Sequence, residues 1–169
     1  NVTFSNNSAT SGGGMYINGW DGTAIPVLTN AILWGNRASS GIGHQIYNQK
    51  TQPIINYSIV EGGDGNGTSE GTPFGDGTGN RSDDPLFIDS TNGNLRLQIG
   101  SPALDTGDNS AVPVGITTDL DGNTRVVNSA VDMGAYEYQY PVGTPTPTPT
   151  STPVPPTNTP GAPTNTPLP

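Results

Sequence analysis

Three oxygen-bearing side chains have the spacing of a calcium-binding loop. Asp119, Asp121 and Asn123 alternate as the first ligands of an EF-hand loop do. Such a loop needs glycine at its sixth position and glutamate at its twelfth, where this chain has Thr124 and Ala130. The Asp-Gly pair inside the segment is typical of a hairpin turn. The sequence therefore favours a turn and keeps a calcium site at these residues as the alternative.

If residues 119–125 form a turn, three local features are expected. Asp119 would accept hydrogen bonds from nearby backbone amides, and Asn123 would adopt the left-handed conformation. Asp119 would also form a surface ion pair with Arg125.

Aromatic rings beside a cation offer a different chemistry, which is stacking on sugar rings. Trp34 occupies an outward position of a predicted strand, Arg37 follows the next turn, and Trp20 lies on a predicted loop. We therefore predict Trp20, Trp34 and Arg37 as glycan-stacking residues. The alternative is that Trp34 packs beneath a neighbouring loop or beneath the C-terminal part of the chain.

A catalytic constellation is not visible. The predicted strands at residues 2–5, 31–34 and 57–60 carry no charged side chain. Asp83 and Asp84 are adjacent, so in a strand they would point to opposite faces. His44 is the single histidine and is interpreted as a surface residue. We predict no catalytic residue here and no cofactor apart from the calcium alternative, and whether the whole protein is an enzyme stays open.

These residues must be positioned by a repeat that opens the chain. Residues 1–14 recur at an offset of 29 residues, and the matching pairs are Asn1 and Asn30, Phe4 and Leu33, and Asn7 and Asn36. A third copy starts at Asn56, 26 residues further on. Each copy alternates apolar and polar residues and ends in Asn or Gly. This pattern predicts an all-β fold built of stacked coils, a parallel β-helix.

The alignment of the copies predicts which side chains stack. Phe4, Leu33 and Ile59 would form one buried column, and Val2, Ala31 and Tyr57 would form another. Asn7 above Asn36 would form a ladder of side-chain amides, which Gly62 would interrupt in the third copy.

Two sets of motifs carry a resemblance to known families. Phe4-x-x-Asn7, followed by Gly12-Gly13-Gly14-Met15, resembles the FxxN and GGxI repeats of polymorphic outer-membrane proteins and of other right-handed, pectin-lyase-like β-helix proteins. Residues 84–89, 100–107, 119–125 and 131–138 read DPLFID, GSPALDTG, DLDGNTR and VDMGAYEY. Their order is similar to that in the C-terminal module of bacterial β-helix proteins of the choice-of-anchor Q type.

These patterns divide the chain into three parts. Residues 1–82 are predicted to be the last coils of the β-helix, with a glycine-rich loop at residues 61–81. Residues 83–140 are predicted to form a β module that caps the last coil and covers its strand edges. Residues 141–169 alternate Thr and Pro and are predicted to be an extended, disordered linker to an anchor or domain beyond Pro169.

Composition limits the partners. With a net charge of −9 and only 5 Lys and Arg residues, the chain is not suited to nucleic acid or to anionic membranes. It contains no cysteine and no apolar run long enough to span a membrane. Because the chain begins inside a repeat, we expect a fragment of a longer secreted protein.

These features together predict a bacterial protein of the cell surface or the extracellular space. We expect it to be non-catalytic and to act in adhesion or in binding polysaccharide or a host glycan. The alternative is the C-terminal part of a polysaccharide lyase or glycoside hydrolase whose catalytic coils lie upstream.

Overall fold

Short strands joined by tight corners make up the repeat region (residues 1–63), because its apolar and polar residues alternate between Asn and Gly corners. A computed structural model describes residues 1–19, 25–63 and 77–141. The strands are β1 (Val2–Ser5), β2 (Ser8–Ala9), β3 (Met15–Asn18), β4 (Val27–Thr29), β5 (Ala31–Trp34), β6 (Arg37–Ala38), β7 (Ile46–Gln49), β8 (Ile54–Asn56), β9 (Ile59–Val60), β10 (Phe87–Asp89) and β11 (Asn94–Leu97).

The strands of successive copies pair in parallel. They form one three-stranded sheet, β1-β5-β9, and three two-stranded sheets, β2-β6, β3-β7 and β4-β8. Val2 pairs with Ala31 at a spacing of 29 residues, as the repeat predicts. The all-β prediction is confirmed at this level, since the described residues contain small parallel sheets and only two helical turns of three residues each.

The third copy is shifted by one residue from the predicted alignment. Ile32 pairs with Ile59 and Leu33 with Val60, so Ile59 does not share a column with Leu33 as predicted. The alignment matched Asn56 to Asn30, but the left-handed corner at Asn30, with φ of 55°, recurs at Tyr57, with φ of 45°. The shift follows because the corner conformation, rather than the residue type, sets the register.

The shift assigns the two columns to opposite faces of the sheet. Leu33 and Val60 lie in the inner core, together with Ile17, Ile46 and Ile55. Ile32 and Ile59 point outward instead, into a second apolar cluster that also includes Trp34 and Tyr57. The predicted column of Val2, Ala31 and Tyr57 is therefore wrong at Tyr57, although Val2 and Ala31 do pair.

The predicted amide ladder is confirmed between the first two copies. The backbone N–H and Nδ2 of Asn7 donate to Oδ1 of Asn36, at 3.0 and 2.9 Å. Asn36 is fully buried, and its Nδ2 donates to the carbonyl of Phe4 and to Oε1 of Gln45, at 2.9 and 2.6 Å. In the third copy, Gly62 is equivalent to Gly35 and has the same left-handed conformation, so it does not occupy the position of Asn36 in the ladder.

The C-terminal module (residues 83–140) packs against the outer face of the β1-β5-β9 sheet. Leu97, Ala103 and Met133 complete the second apolar cluster with Ile32 and Ile59. The antiparallel pair of β10 and β11 is the module's only sheet among the described residues.

Polar contacts fasten the module to successive copies of the repeat. Asn30 exchanges two hydrogen bonds with the backbone of Asp108, at 2.9 and 2.7 Å, and the N–H of Ala135 donates to Oγ1 of Thr3. These contacts lie on a side face of the repeat region, whereas the sequence predicted a cap over the end of the last coil. Residues at 78–81 follow the edge of the third copy, where Arg81 bridges to Ile59.

Several predictions fall on residues outside the described ranges. Trp20, most of the glycine-rich loop at 61–81, and the Thr-Pro segment after Pro141 belong to this group. Neither of the short helical turns within the described ranges has the length and apolar character that crossing a membrane requires.

Candidate functional site

The two predicted glycan-stacking residues that the structure describes, Trp34 and Arg37, lie in different surroundings. Trp34 is half-buried and packs in the cluster beneath the C-terminal module, which is the alternative raised for it. Arg37 is exposed and lies 3.7 Å from Oε2 of Glu61. Trp20 lies outside the described residues. An indole covered by the module is poorly placed to stack on a sugar ring.

The predicted turn is confirmed at Asp119, Asp121 and Asn123. Oδ1 of Asp119 accepts hydrogen bonds from the N–H groups of Asp121 and Asn123, at 2.9 and 2.8 Å. Its Oδ2 accepts from the N–H of Glu137 at 3.0 Å. The left-handed residue is Gly122, with φ of 83°, and not Asn123. Both carboxylate oxygens of Asp119 thus hold backbone amides.

Calcium finds little support in this turn. Both oxygens of Asp121 pair with Arg96, including a hydrogen bond of 2.6 Å from Nε. In the ranges that the structure describes, no three His, Cys, Asp or Glu side chains cluster in a way that could hold a metal.

His44 also has a structural role. Its Nδ1 accepts the backbone N–H of Ala38 at 3.0 Å, and the ring is half-buried. The histidine therefore holds its own loop in place.

Arg125 is buried and holds the module together, which makes the predicted surface ion pair with Asp119 wrong. Its side chain is 2% exposed. Nη2 donates to the carbonyls of Gly134 and Asp132, at 2.7 and 3.0 Å, and to Oδ1 of Asn1 at 3.1 Å. The guanidinium therefore ties the hairpin to the last motif and to the start of the repeat region.

Two buried carboxylates near Arg125, those of Glu137 and Asp132, also accept hydrogen bonds from backbone N–H groups. Glu137 accepts the N–H groups of Val127 and Asp132, and Asp132 accepts those of Asp105 and Tyr138. Burial raises the pKa of Glu137 to about 7, and repulsion by Asp132 adds to this effect. Burial likewise raises the pKa of Asp132 to about 6. The acidic residues of the motifs are thus acceptors that shape the module.

A small cleft on the module lies beside the Asp-Gly turn. We name it the Arg96 cleft, and its volume is about 270 Å³. Its lining residues come from β11, the turn and the last motif: Ile88, Arg96, Leu97, Asp121, Asn123, Tyr136, Glu137, Tyr138 and Gln139. The volume is just below the roughly 300–1,000 Å³ typical of pockets for drug-sized ligands, so a single ring-sized group suits it.

One wall of the cleft is flat and rigid. The guanidinium carbon of Arg96 lies 4.8 Å from the ring centroid of Tyr136, as in a cation–π contact. The bidentate hydrogen bonds to Asp121 extend this plane, since guanidinium and carboxylate groups pair in a fork. Tyr138, which also lines the cleft, makes an edge-on contact with Tyr140, at 4.8 Å between ring centroids.

The cleft retains unused hydrogen-bonding capacity. Among the described residues, the hydroxyls of Tyr136 and Tyr138 and the side-chain amide of Asn123 have no hydrogen-bond partner. Nε2 of Gln139 donates to two backbone carbonyls, which leaves its Oε1 free. Neutral donors and acceptors around an aromatic wall can bind a polyhydroxylated ligand.

Sequence reasoning did not single out this cleft. The local signal is the alternation of Tyr136, Glu137 and Tyr138, in which the carboxylate is buried and the two flanking tyrosines remain partly exposed. Arg96 and Asp121 are 25 residues apart and meet only after the module has folded.

Comparisons of the chain with protein-family models, with curated proteins and with solved structures find no match. The geometry of the cleft is therefore the basis for inferring a function.

Proposed function

We propose that this chain is part of a non-catalytic, glycan-binding adhesin displayed outside a bacterial cell. Its repeat region would be the last coils of a right-handed, pectin-lyase-like parallel β-helix. Parallel pairing in four sheets supports this fold, with Val2 opposite Ala31, Met15 opposite Ile46 and Val27 opposite Ile54. The C-terminal module would be of the choice-of-anchor Q type and would stiffen the coil from one side.

The Arg96 cleft carries the proposed binding function. Its aromatic wall and its unpaired neutral hydrogen-bonding groups match the alternating apolar and hydroxylated faces of a sugar ring. The side chains that form it are held by the turn at Asp119 and by the contact of Tyr138 with Tyr140. A preorganised cleft loses little conformational entropy when a ligand binds.

The carboxylates at the cleft favour a binding role over catalysis, because all their oxygens already accept hydrogen bonds from the protein. Glycoside hydrolysis needs two carboxyl groups that face the substrate and are free to exchange protons or attack. Both oxygens of Glu137 accept backbone N–H groups, and both oxygens of Asp121 pair with Arg96. Neither group at the cleft has a free oxygen for chemistry.

The Thr-Pro segment would serve as a spacer in this proposal. Alternating proline favours the extended polyproline II conformation, which rises about 3.1 Å per residue. The segment would hold the binding module at a distance from the bacterial surface.

The test is a glycan array probed with the full 169-residue chain, followed by calorimetry on any glycan that binds. Tyr136→Ala is expected to weaken binding at least about tenfold, because it removes the aromatic wall. Tyr16→Ala is the matched control, since Tyr16 is 51% exposed and stacks on Tyr47 in the repeat region. Loss of binding in the control with no change in Tyr136→Ala would assign the site to the β3-β7 face instead.

A further inference from the structure

The single cation of the Arg96 cleft already donates three of its five N–H groups to protein oxygens. Nε and Nη2 of Arg96 donate to the two oxygens of Asp121. Nη1 donates to Oδ1 of Asn94 at 3.1 Å. The planar fork that would recognise a ligand carboxylate or sulfate is therefore turned toward Asp121.

The electrostatic balance of the cleft is negative. Asp121 neutralises Arg96, Glu137 lies in the cleft wall, and Asp119 lies in the same turn. The chain as a whole carries a net charge of −9. To pair with the Nε–Nη2 fork of Arg96, an anionic ligand would have to displace Asp121 and leave that carboxylate unpaired beside other acidic groups. Like charges brought together in this way weaken binding and reject the wrong ligand.

We propose that the Arg96 cleft selects uncharged pyranose glycans and rejects uronate-bearing or sulfated ones, with Asp121 as the specificity-determining residue. Asp121 acts by holding Arg96, so the cleft presents the neutral groups of Asn123, Tyr138 and Gln139 to the ligand. The inference rests on the proposed function of glycan binding. It adds the charge class of the ligand and the residue that sets it.

The experiment compares two kinds of probe on the full chain. Cellohexaose, xylohexaose and mannohexaose represent neutral glycans, and hexagalacturonate represents the uronates. Calorimetry at pH 7.5 and low salt should show at least one neutral hexamer binding at least about tenfold more tightly than hexagalacturonate. Asp121→Asn removes the charge that neutralises Arg96 and keeps the side-chain size, so it should lower the Kd for hexagalacturonate at least about tenfold and remove or reverse the preference.

The matched control is Asp83→Asn. Asp83 pairs with Arg81 on an exposed surface at 3.2 Å, so this variant makes the same change in charge outside the cleft. The preference for neutral glycans should remain unchanged. An equal gain of uronate binding in Asp83→Asn would overturn the proposal, because it would show a general effect of net charge.

A second variant protects the test from misfolding. Circular dichroism must show that Asp121→Asn retains the wild-type fold. Arg96→Gln removes the cation itself, so it should keep the rejection of hexagalacturonate, and the double variant should lose the gain made by Asp121→Asn. Tight uronate binding by Arg96→Gln would contradict the role assigned to the pair.

The two levels of the proposal fail in different ways. Binding of hexagalacturonate by the wild type as tightly as of the neutral hexamers would overturn charge selection and leave glycan binding standing. Binding of none of the four hexamers, and of nothing on the glycan array, would overturn the proposed function together with this inference.

Discussion

In the repeat region, neighbouring copies are joined by parallel backbone pairing and by stacked apolar columns such as Leu33 over Val60. In the C-terminal module, the described strands form only one antiparallel pair. Most of the module is instead held by single side chains that reach backbone groups, as Glu137 does toward Val127 and Asp132. Regular pairing stabilises one region and individual buried polar residues stabilise the other.

This difference explains why, in the module, the residues of the sequence motifs that are buried are not the residues proposed to bind a ligand. A region without extended sheets must satisfy its backbone N–H and C=O groups with side chains. Asp119, Arg125 and Asp132 form such hydrogen bonds with the backbone. This structural role explains why they belong to the sequence motifs, and no catalytic role is needed to explain it. The groups left for a ligand are the less distinctive neighbours on the surface, such as Tyr136 and Asn123.

The largest expected effect comes from removing the buried cation of the module. Arg125→Met leaves the carbonyls of Asp132 and Gly134 without a donor and leaves two buried carboxylates without a counter-charge. Breaking such a buried network costs about 3–5 kcal/mol. Urea unfolding of the purified chain measures the loss. Arg81→Met is the exposed control and should change stability little.

A loss below about 1 kcal/mol in Arg125→Met would contradict this account of the module. Nε and Nη1 of Arg125 have no partner among the described residues, so part of its own desolvation cost is not offset. Because Arg125→Met also removes this desolvation cost, the measured loss of stability should lie toward the lower end of the expected range.

The corresponding change in the repeat region removes an inner-core side chain. Leu33 is fully buried, and Leu33→Ala is expected to cost about 2–5 kcal/mol through lost burial and a residual cavity. Val27→Ala is the control, because Val27 lies in a neighbouring strand but is 61% exposed. Equal Tm values for the two variants in calorimetry would contradict the assignment of Leu33 to the core.

Dependence on pH should arise mainly in the module. The pKa values of Glu137 and Asp132 are raised to about 7 and about 6, so the folded state holds these protons more tightly than the unfolded chain. Their stabilising contribution is complete below about pH 4 and is lost as pH rises through 6 and 7.

Urea unfolding at pH 4.5, 6 and 8 should therefore show a falling free energy of unfolding, and Glu137→Gln should flatten the fall. Arg125, Asp105 and Asp119 also face this cluster and are unchanged in the variant. A free energy that rises across the range would show that other groups dominate.

A smaller effect is expected at the amide ladder. Asn36→Ala removes the partner of the Asn7 N–H and of Gln45, and leaves buried polar groups unsatisfied at a cost of about 1–3 kcal/mol. Asn7→Ala acts on the exposed end of the same ladder and should cost less. If hydrogen exchange shows no faster opening of β2 and β6 in Asn36→Ala, the ladder is not a stabilising feature.

No effect at all is expected from calcium. Asp119 already caps backbone amides and Asp121 already pairs with Arg96. Thermal melts in EGTA and in millimolar Ca²⁺ should therefore overlay. A rise in Tm of several degrees that disappears in Asp119→Ala would show a metal site that the hydrogen bonds conceal.

Local patterns in the sequence determined much of the repeat region. Alternation of apolar residues located β1 and β5, and the offset of 29 residues set their pairing. The Asn7–Asn36 ladder and the hairpin turn at Asp121 follow from residues close in sequence or repeated at a constant spacing. Such features depend on backbone conformation and periodicity, which each short segment carries by itself.

Only the tertiary structure decided which face the module covers. Trp34 and Ile32 are buried because the module lies on that face, and nothing within their own strand indicates it. Arg125 donates a hydrogen bond to Asn1, 124 residues away in the sequence. The surface ion pair of the turn is formed instead by Arg96 and Asp121. Burial and partner choice over such distances depend on how whole elements pack. For that reason the sequence could specify the repeat, while the cleft exists only in the folded chain.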